Sequence, residues 1–211
     1  MKKIKRYLIM IILLILYILI YSISYANSTI SNLSNNLFRL HVIANSDSDY
    51  DQNLKYAVRD NLISYMNNIC INTSSKEEAL NIANEHLYDL YKISQNTIIE
   101  HGYNYDVKIS IGNYPFPTKK YGDISLPSGN YDALKVEIGE AKGKNWWCVM
   151  FPSLCFVDIS NGIVPEESKK ELQDSLSEED FNLISSSNSQ YQFKFKLIEL
   201  LENAKILTAK K

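Results

Sequence analysis

Phe38-Arg39-Leu40-His41-Val42-Ile43-Ala44-Asn45 decides the fold class of this chain. Phe38, Leu40, Val42 and Ala44 alternate with Arg39, His41 and Asn45, and a period of two marks a half-buried strand. Asn45-Ser46-Asp47-Ser48-Asp49 ends the run with residues that turn a chain and cap helices. Beyond it, Leu54, Val58, Leu62, Tyr65 or Met66, and Ile69 recur at helical spacing. A second helix opens on Ser74 and Glu77 as a capping-box pair, carries Leu80, Ala83, Leu87 and Leu90, and stops at Gly102. Strand alternation returns at Val107, Ile109 and Ile111, and again at Leu134, Val136 and Ile138. Residues 114–123 between them are too rich in Pro and Gly for a regular element. Residues 139–145 predict a hairpin loop into a last strand, 146–151, which Pro152 ends. Two acidic segments, 166–176 and 178–184, predict marginal, exposed helices, and 191–207 a final helix. This order predicts an α+β fold: a single domain with a mostly antiparallel sheet, helices on one face and a more polar opposite face.

Upstream, Lys2, Lys3, Lys5 and Arg6 precede an apolar run from 7 to 21 that fades through Ser22, Ser24 and Ala26. That is the pattern of a secretory signal, with cleavage expected after Ala26. Left uncleaved, about twenty residues at ~1.5 Å rise span a bilayer core of ~30 Å. The basic end stays inside, so the domain is expected to be extracytoplasmic in either case. The predicted divisions are 1–26, signal or membrane anchor; 27–37, a polar tether; 38–160, the α+β core; and 161–211, a helical C-terminal extension.

The formal net charge of −2 becomes −6 once the four basic residues of 1–26 are set aside. A domain without basic excess is a poor partner for nucleic acid. Of three cysteines, Cys148 and Cys155 are spaced to close a short loop in an exported chain, leaving Cys70 over; three buried thiols are the alternative. Closing about eight residues stabilises by roughly 2.5 kcal/mol on the chain-entropy estimate. Neither C-x₂-C nor paired histidine spacing occurs, so no metal or cofactor is expected. Asp47-Ser48-Asp49-Tyr50-Asp51 starts like a calcium loop, but Gln52 and Val58 stand where the loop needs Gly and Glu.

His41 lies on the polar parity of its strand with Arg39 and Asn45, and is expected to be a hydrogen-bonded surface histidine. A hydrolase using His41 with Ser46 and Asp47 is the catalytic alternative, although no G-x-S-x-G elbow is present. His86 and His101 are expected to be ordinary surface residues. Gly139-x-x-x-Gly143-Lys144 joins two strands and so fits a hairpin tip better than a phosphate loop. Trp146 and Trp147 are consecutive in a strand and must face opposite sides of the sheet. One indole therefore leaves the core, either covered by other elements or exposed as a binding anchor.

Three blocks of this sequence carry a resemblance. Phe38-Arg39-Leu40-His41-Val42-Ile43-Ala44-Asn45-Ser46-Asp47-Ser48 with Asp51-Gln52-x-Leu54-Lys55-x-x-Val58-Arg59-Asp60 is the first. Tyr121-Gly122-Asp123-x-x-Leu126-Pro127-x-Gly129-x-Tyr131-x-Ala133-Leu134 is the second. Gly139-Glu140-Ala141-Lys142-Gly143-Lys144-Asn145-Trp146-Trp147-Cys148-Val149-Met150-Phe151-Pro152-x-Leu154-Cys155-Phe156-Val157-Asp158 is the third. In this order they resemble the stage II sporulation protein R family. The resemblance implies a non-enzymatic signal exported from the forespore into the space between forespore and mother-cell membranes. It implies as partner a membrane-embedded aspartic protease that then processes the sigma-E precursor. Partner-binding residues are expected at His41, Asn45, Ser46 and Asp47; at Tyr121, Gly122 and Asp123; and at Lys142, Lys144, Asn145 and Trp146 or Trp147. A structural envelope protein is the remaining alternative.

Overall fold

The alternation at 38–44 does form a strand, β1 (Phe38–Ile43), and it lies inside a four-stranded sheet rather than at its edge. The structure is a computed structural model that describes residues 2–152 and 164–185. β1 pairs antiparallel with β6 (Asn145–Phe151) and parallel with β5 (Gly129–Ile138). β2 (Val107–Phe116) pairs antiparallel with β5, giving the order β2-β5-β1-β6. The sheet is thus mixed, with one parallel pair at its centre. A parallel pair needs a long crossover, which three helices provide: α2 (Asp49–Ile69), α3 (Lys76–Glu85) and α4 (Leu87–Glu100).

The helix starts follow the expected chemistry with one shift. Ser48 caps α2 by accepting from Asp51 N. Ser75, not Ser74, caps α3, accepting from Glu78 N, while Glu78 reaches back to Ser74 N. Ser74-Ser75-Lys76-Glu77-Glu78 holds two capping pairs one residue apart, and local pattern could not choose between them. The single helix expected up to Gly102 is two, broken at His86.

The proline-rich stretch is more regular than expected. β2 continues through Pro115 to Phe116, and β3 (Lys119–Tyr121) and β4 (Ile124–Leu126) form a small hairpin. Pro115 is tolerated because β2 is an edge strand with alternate N–H groups directed away from its one partner. Ile124 and Leu126 are fully buried. α5 (Glu166–Ser175) and α6 (Glu178–Ser185) are not merely exposed: Leu172 and Ile184 are fully buried, and Lys169 of α5 pairs with Asp123 at the hairpin tip.

The segment 27–37 is not a free tether. α1 (Lys2–Asn36) runs through it without a break, and Thr29, Leu33 and Leu37 are buried. Thr29 and Leu33 share one helix face, and Leu37 follows directly after the last turn, a stripe hidden in sequence by the surrounding Asn and Ser. Gly129 leaves room for this helix, since a Cβ there would stand 2.8 Å from Ile30 Cγ2. Ala26 lies inside α1. By length and composition α1 could cross a membrane; its most apolar window has mean hydropathy 2.6 and is not buried in the domain. The final helix expected over 191–207 lies outside the described residues.

Candidate functional site

Register brings the functional candidates together. Residues directly opposite in paired strands share a sheet face, and His41 stands opposite Trp147 on β6 and Lys135 on β5. The His41 and Trp147 rings stack at 3.6 Å with 15° between planes, and Phe116 meets the indole edge-on at 4.7 Å. His41 Nε2 lies 2.7 Å from Asn145 Oδ1, which fits the Nε2-protonated tautomer. The expected surface histidine is therefore a buried one, 6 % exposed. Burial depresses its pKa to about 4, helped by the charges of Lys135 and Arg39 and opposed by the Asn145 bond and Glu137. It is neutral near pH 7.

Arg39, two residues earlier on the same face, is completely buried. Its guanidinium lies 4.1 Å from the Phe116 ring centroid and 4.7 Å from that of Tyr131. Its Nη2 donates to the Tyr121 hydroxyl at 2.8 Å, and that hydroxyl donates to the Trp147 carbonyl at 3.0 Å. Tyr121 thus latches the β3–β4 hairpin over this end of the sheet. Gly122 adopts φ 58° at the hairpin tip, beside Asp123.

Asn45, Ser46 and Asp47 point to a different task. Asn45 donates to Asp51 Oδ2 and accepts from Glu140 N, both at 2.9 Å. Ser46 Oγ donates to the same Asp51 oxygen at 2.5 Å. Asp47 Oδ1 accepts from Lys144 N at 2.6 Å. Asp51 is buried, which opposes ionisation, but hydrogen bonds from Ser46, Asn45, Tyr105 and Ser48 outweigh this and hold its carboxyl below the usual range. The 139–145 loop is cinched onto the strand end: Lys142 N donates to Asn45 O and Gly143 N to Ala44 O. A Cβ at Gly143 would come within 2.1 Å of the Ser46 carbonyl oxygen. His41, Ser46 and Asp47 are consequently engaged with three different partners, and the geometry of a hydrolytic triad is not assembled.

The loop is also held from beneath. Lys55, 1 % exposed, donates to Gln52 Oε1 at 2.6 Å and to the Lys144 carbonyl at 3.3 Å. Burial, with Arg59 nearby, lowers its pKa to about 8. Trp146 faces α2, with Tyr56 edge-on at 5.5 Å and the Arg59 guanidinium 4.2 Å from its ring. Both indoles are half-buried, and the Trp146 Nε1 is itself out of solvent. Lys142 and Lys144 in the loop, and Asn145 at the start of β6, are exposed. Cys148 is buried in β6, and Cys155 lies outside the described residues. A groove of about 470 Å³ between α4 and β2, lined by Leu87, Tyr88, Tyr91, Ile109, Asn84 and Glu85, holds a single carboxylate and no nucleophile.

Sequence reasoning missed Arg39, Phe116, Tyr131 and Lys135 as members of this cluster. Parity puts Arg39 beside His41 and marks Lys135 as polar, whereas Phe116 falls in the stretch expected to be irregular and Tyr131 before the expected strand. The adjacency of all four depends on cross-strand register. His86 was also more engaged than expected: its Nδ1 lies 2.8 Å from the Tyr65 hydroxyl and 3.0 Å from Asp89 Oδ2.

No solved structure matches this chain. Stage II sporulation protein R of Bacillus subtilis (strain 168) is 40 % identical over 134 residues, 63 % of this chain. The match spans 60 % of that relative's own length. The sequence model of the same family matches residues 34–161, which include the whole four-stranded sheet and the loop cinched to it. On that match the chain belongs to the stage II sporulation protein R family.

Proposed function

We propose that this chain is an exported intercellular signal of sporulation. It activates a membrane-embedded aspartic protease of the mother cell, which then processes the sigma-E precursor; the chain itself catalyses nothing. Family membership over residues 34–161 is the observation that carries this role, and the apolar, basic-tipped α1 supports export into the space between the two membranes. An activating ligand works by binding the active state of its partner more tightly than the inactive one.

The docking surface is placed at the half-exposed Trp147 with Asn145, Lys142 and Lys144. His41 and Tyr121 hold that surface from behind, and Asn45, Ser46 and Asp47 fix the loop. A Cys148–Cys155 bond would brace the end of β6; mass analysis under non-reducing conditions detects it as a loss of two hydrogens.

The test is reconstitution in a non-sporulating host that expresses the full chain, the protease and the sigma-factor precursor. Precursor cleavage that requires this chain and persists in His41→Gln is the expected result. Absence of cleavage with all three proteins correctly located, or its loss in His41→Gln with the fold intact, would overturn the proposal.

A further inference from the structure

A fully buried guanidinium is ordinarily paired with an acid, because removing an uncompensated charge from water is strongly unfavourable. Arg39 is not so paired. Among the described residues no ion pair includes it. Its Nε lies 3.5 Å from the Cys148 carbonyl oxygen, its Nη2 donates to the neutral Tyr121 hydroxyl, and its Nη1 has no hydrogen-bond partner. The Phe116 and Tyr131 rings compensate in part, since their negative faces attract a desolvated cation. An apolar side chain would fill this aromatic enclosure at lower cost.

The unused donor has a direction in chemistry. A guanidinium presents parallel N–H groups that match the two oxygens of a carboxylate. In Arg39 one terminal nitrogen is held by a hydroxyl and the other by nothing, so half of that fork is vacant and half weakly filled. We propose that Arg39 is an anion site held in reserve: on docking, its guanidinium takes a carboxylate supplied by the partner in place of the Tyr121 hydroxyl. This rests on the signalling role proposed above.

The displaced hydroxyl also donates to the Trp147 carbonyl, so exchange at Arg39 would unlatch the β3–β4 hairpin from β6 beside the half-exposed indole. The ion pair that holds the hairpin tip, Asp123 to Lys169 at 2.9 Å, is partly exposed and resists little. The partner's binding energy selects the unlatched arrangement.

Two substitutions in the full chain separate this from a purely structural arginine. Arg39→Met keeps the volume and removes the charge. Tyr121→Phe removes the competing hydroxyl and keeps the ring. In the reconstituted host, Arg39→Met is expected to lower precursor cleavage at least tenfold while the purified chain melts at or above the wild-type temperature. Tyr121→Phe is expected to raise precursor cleavage when the chain is limiting, because the competitor for the guanidinium is gone. Wild-type signalling by Arg39→Met, or parallel losses of melting temperature and cleavage in both variants, overturns the proposal. An inert wild-type chain would instead overturn the signalling role. The melting comparison would then still count against a reserve site if Arg39→Met unfolds at clearly lower temperature.

Discussion

His41 and Lys55 are buried ionisable groups outside every ion pair among the described residues, and both make stability depend on pH. For His41 the folded pKa is about 4 against 6.5 for the free side chain. Below pH 6.5 the unfolded chain binds the proton more readily, so stability falls as pH drops from 6.5 towards 4. The full loss is up to about 3 kcal/mol at ~1.4 kcal/mol per unit. Urea unfolding of the full chain in detergent at pH 7, 6 and 5 is expected to show it, and His41→Gln to flatten the profile over that window. Lys55 acts in the alkaline range. Its folded pKa of about 8 lies below the usual 10.5, so the unfolded chain holds more protons between those values and stability rises with pH there. Lys55→Met is expected to remove that rise; an unchanged slope between pH 8 and 10 would refute the assignment. Neither burial was legible in one strand or helix alone. His41 read as surface because its parity was polar, and only pairing with Trp147 and cover by Phe116 place it inside.

Among the elements, the 139–145 loop is the most tightly specified. Its glycines have distinct reasons. Gly139 sits at φ 57° against Asn45 Oδ1, whereas Gly143 lies against the Ser46 backbone, which cannot swing away. Gly143→Ala is therefore expected to destabilise by about 1–3 kcal/mol, as overpacking does, with part of the cost appearing as lost order at Lys142 and Lys144. Backbone amide exchange at residues 142–145 in the variant tests this: unaltered protection would show that the loop tolerates a Cβ. A turn was correctly read from Gly139 and Gly143, and a cap from Ser48. The turn is not the expected hairpin tip, however: β1 lies between β5 and β6, so the loop crosses over a strand end instead of joining neighbours. That the two segments lock together, through Asn45 and Asp47, is a contact across about ninety residues that no local pattern encodes. Strand β2 shows the converse, since Pro115 argued for irregularity and sheet position overrode it.

For the whole molecule, α+β order, the apolar N-terminal helix and family membership were all legible, because each is written in periodicity, composition or long ordered motifs. The parallel β1–β5 pair was not, since strand partners are chosen by the global packing of helices against the sheet. Nor was the role of 27–37. Leu37→Ala is expected to cost about 2–5 kcal/mol, the range for emptying a buried leucine position, although it lies in a segment whose composition suggests a linker. A thermal shift indistinguishable from wild type would return that segment to the status of tether.

The unbroken course of α1 also limits where the domain can travel. From Tyr21, at the end of the apolar run, to Leu33, the first buried leucine, is twelve residues, or roughly 18 Å of helix. Tyr25 and Asn32 bond to Glu179 and Asp180 of α6 along this stretch, so the rod is splinted rather than hinged. An uncleaved molecule would ride on its membrane like a float on a short mast, exploring a plane instead of a volume and presenting Trp147 at a fixed height. Energy transfer from Trp147 to a lipid-bound acceptor, in a Trp146→Phe background, is expected to report one narrow distance; a broad distribution would mean the mast bends. A signal so mounted would be delivered only where two membranes are already close, so proximity itself would become part of the message.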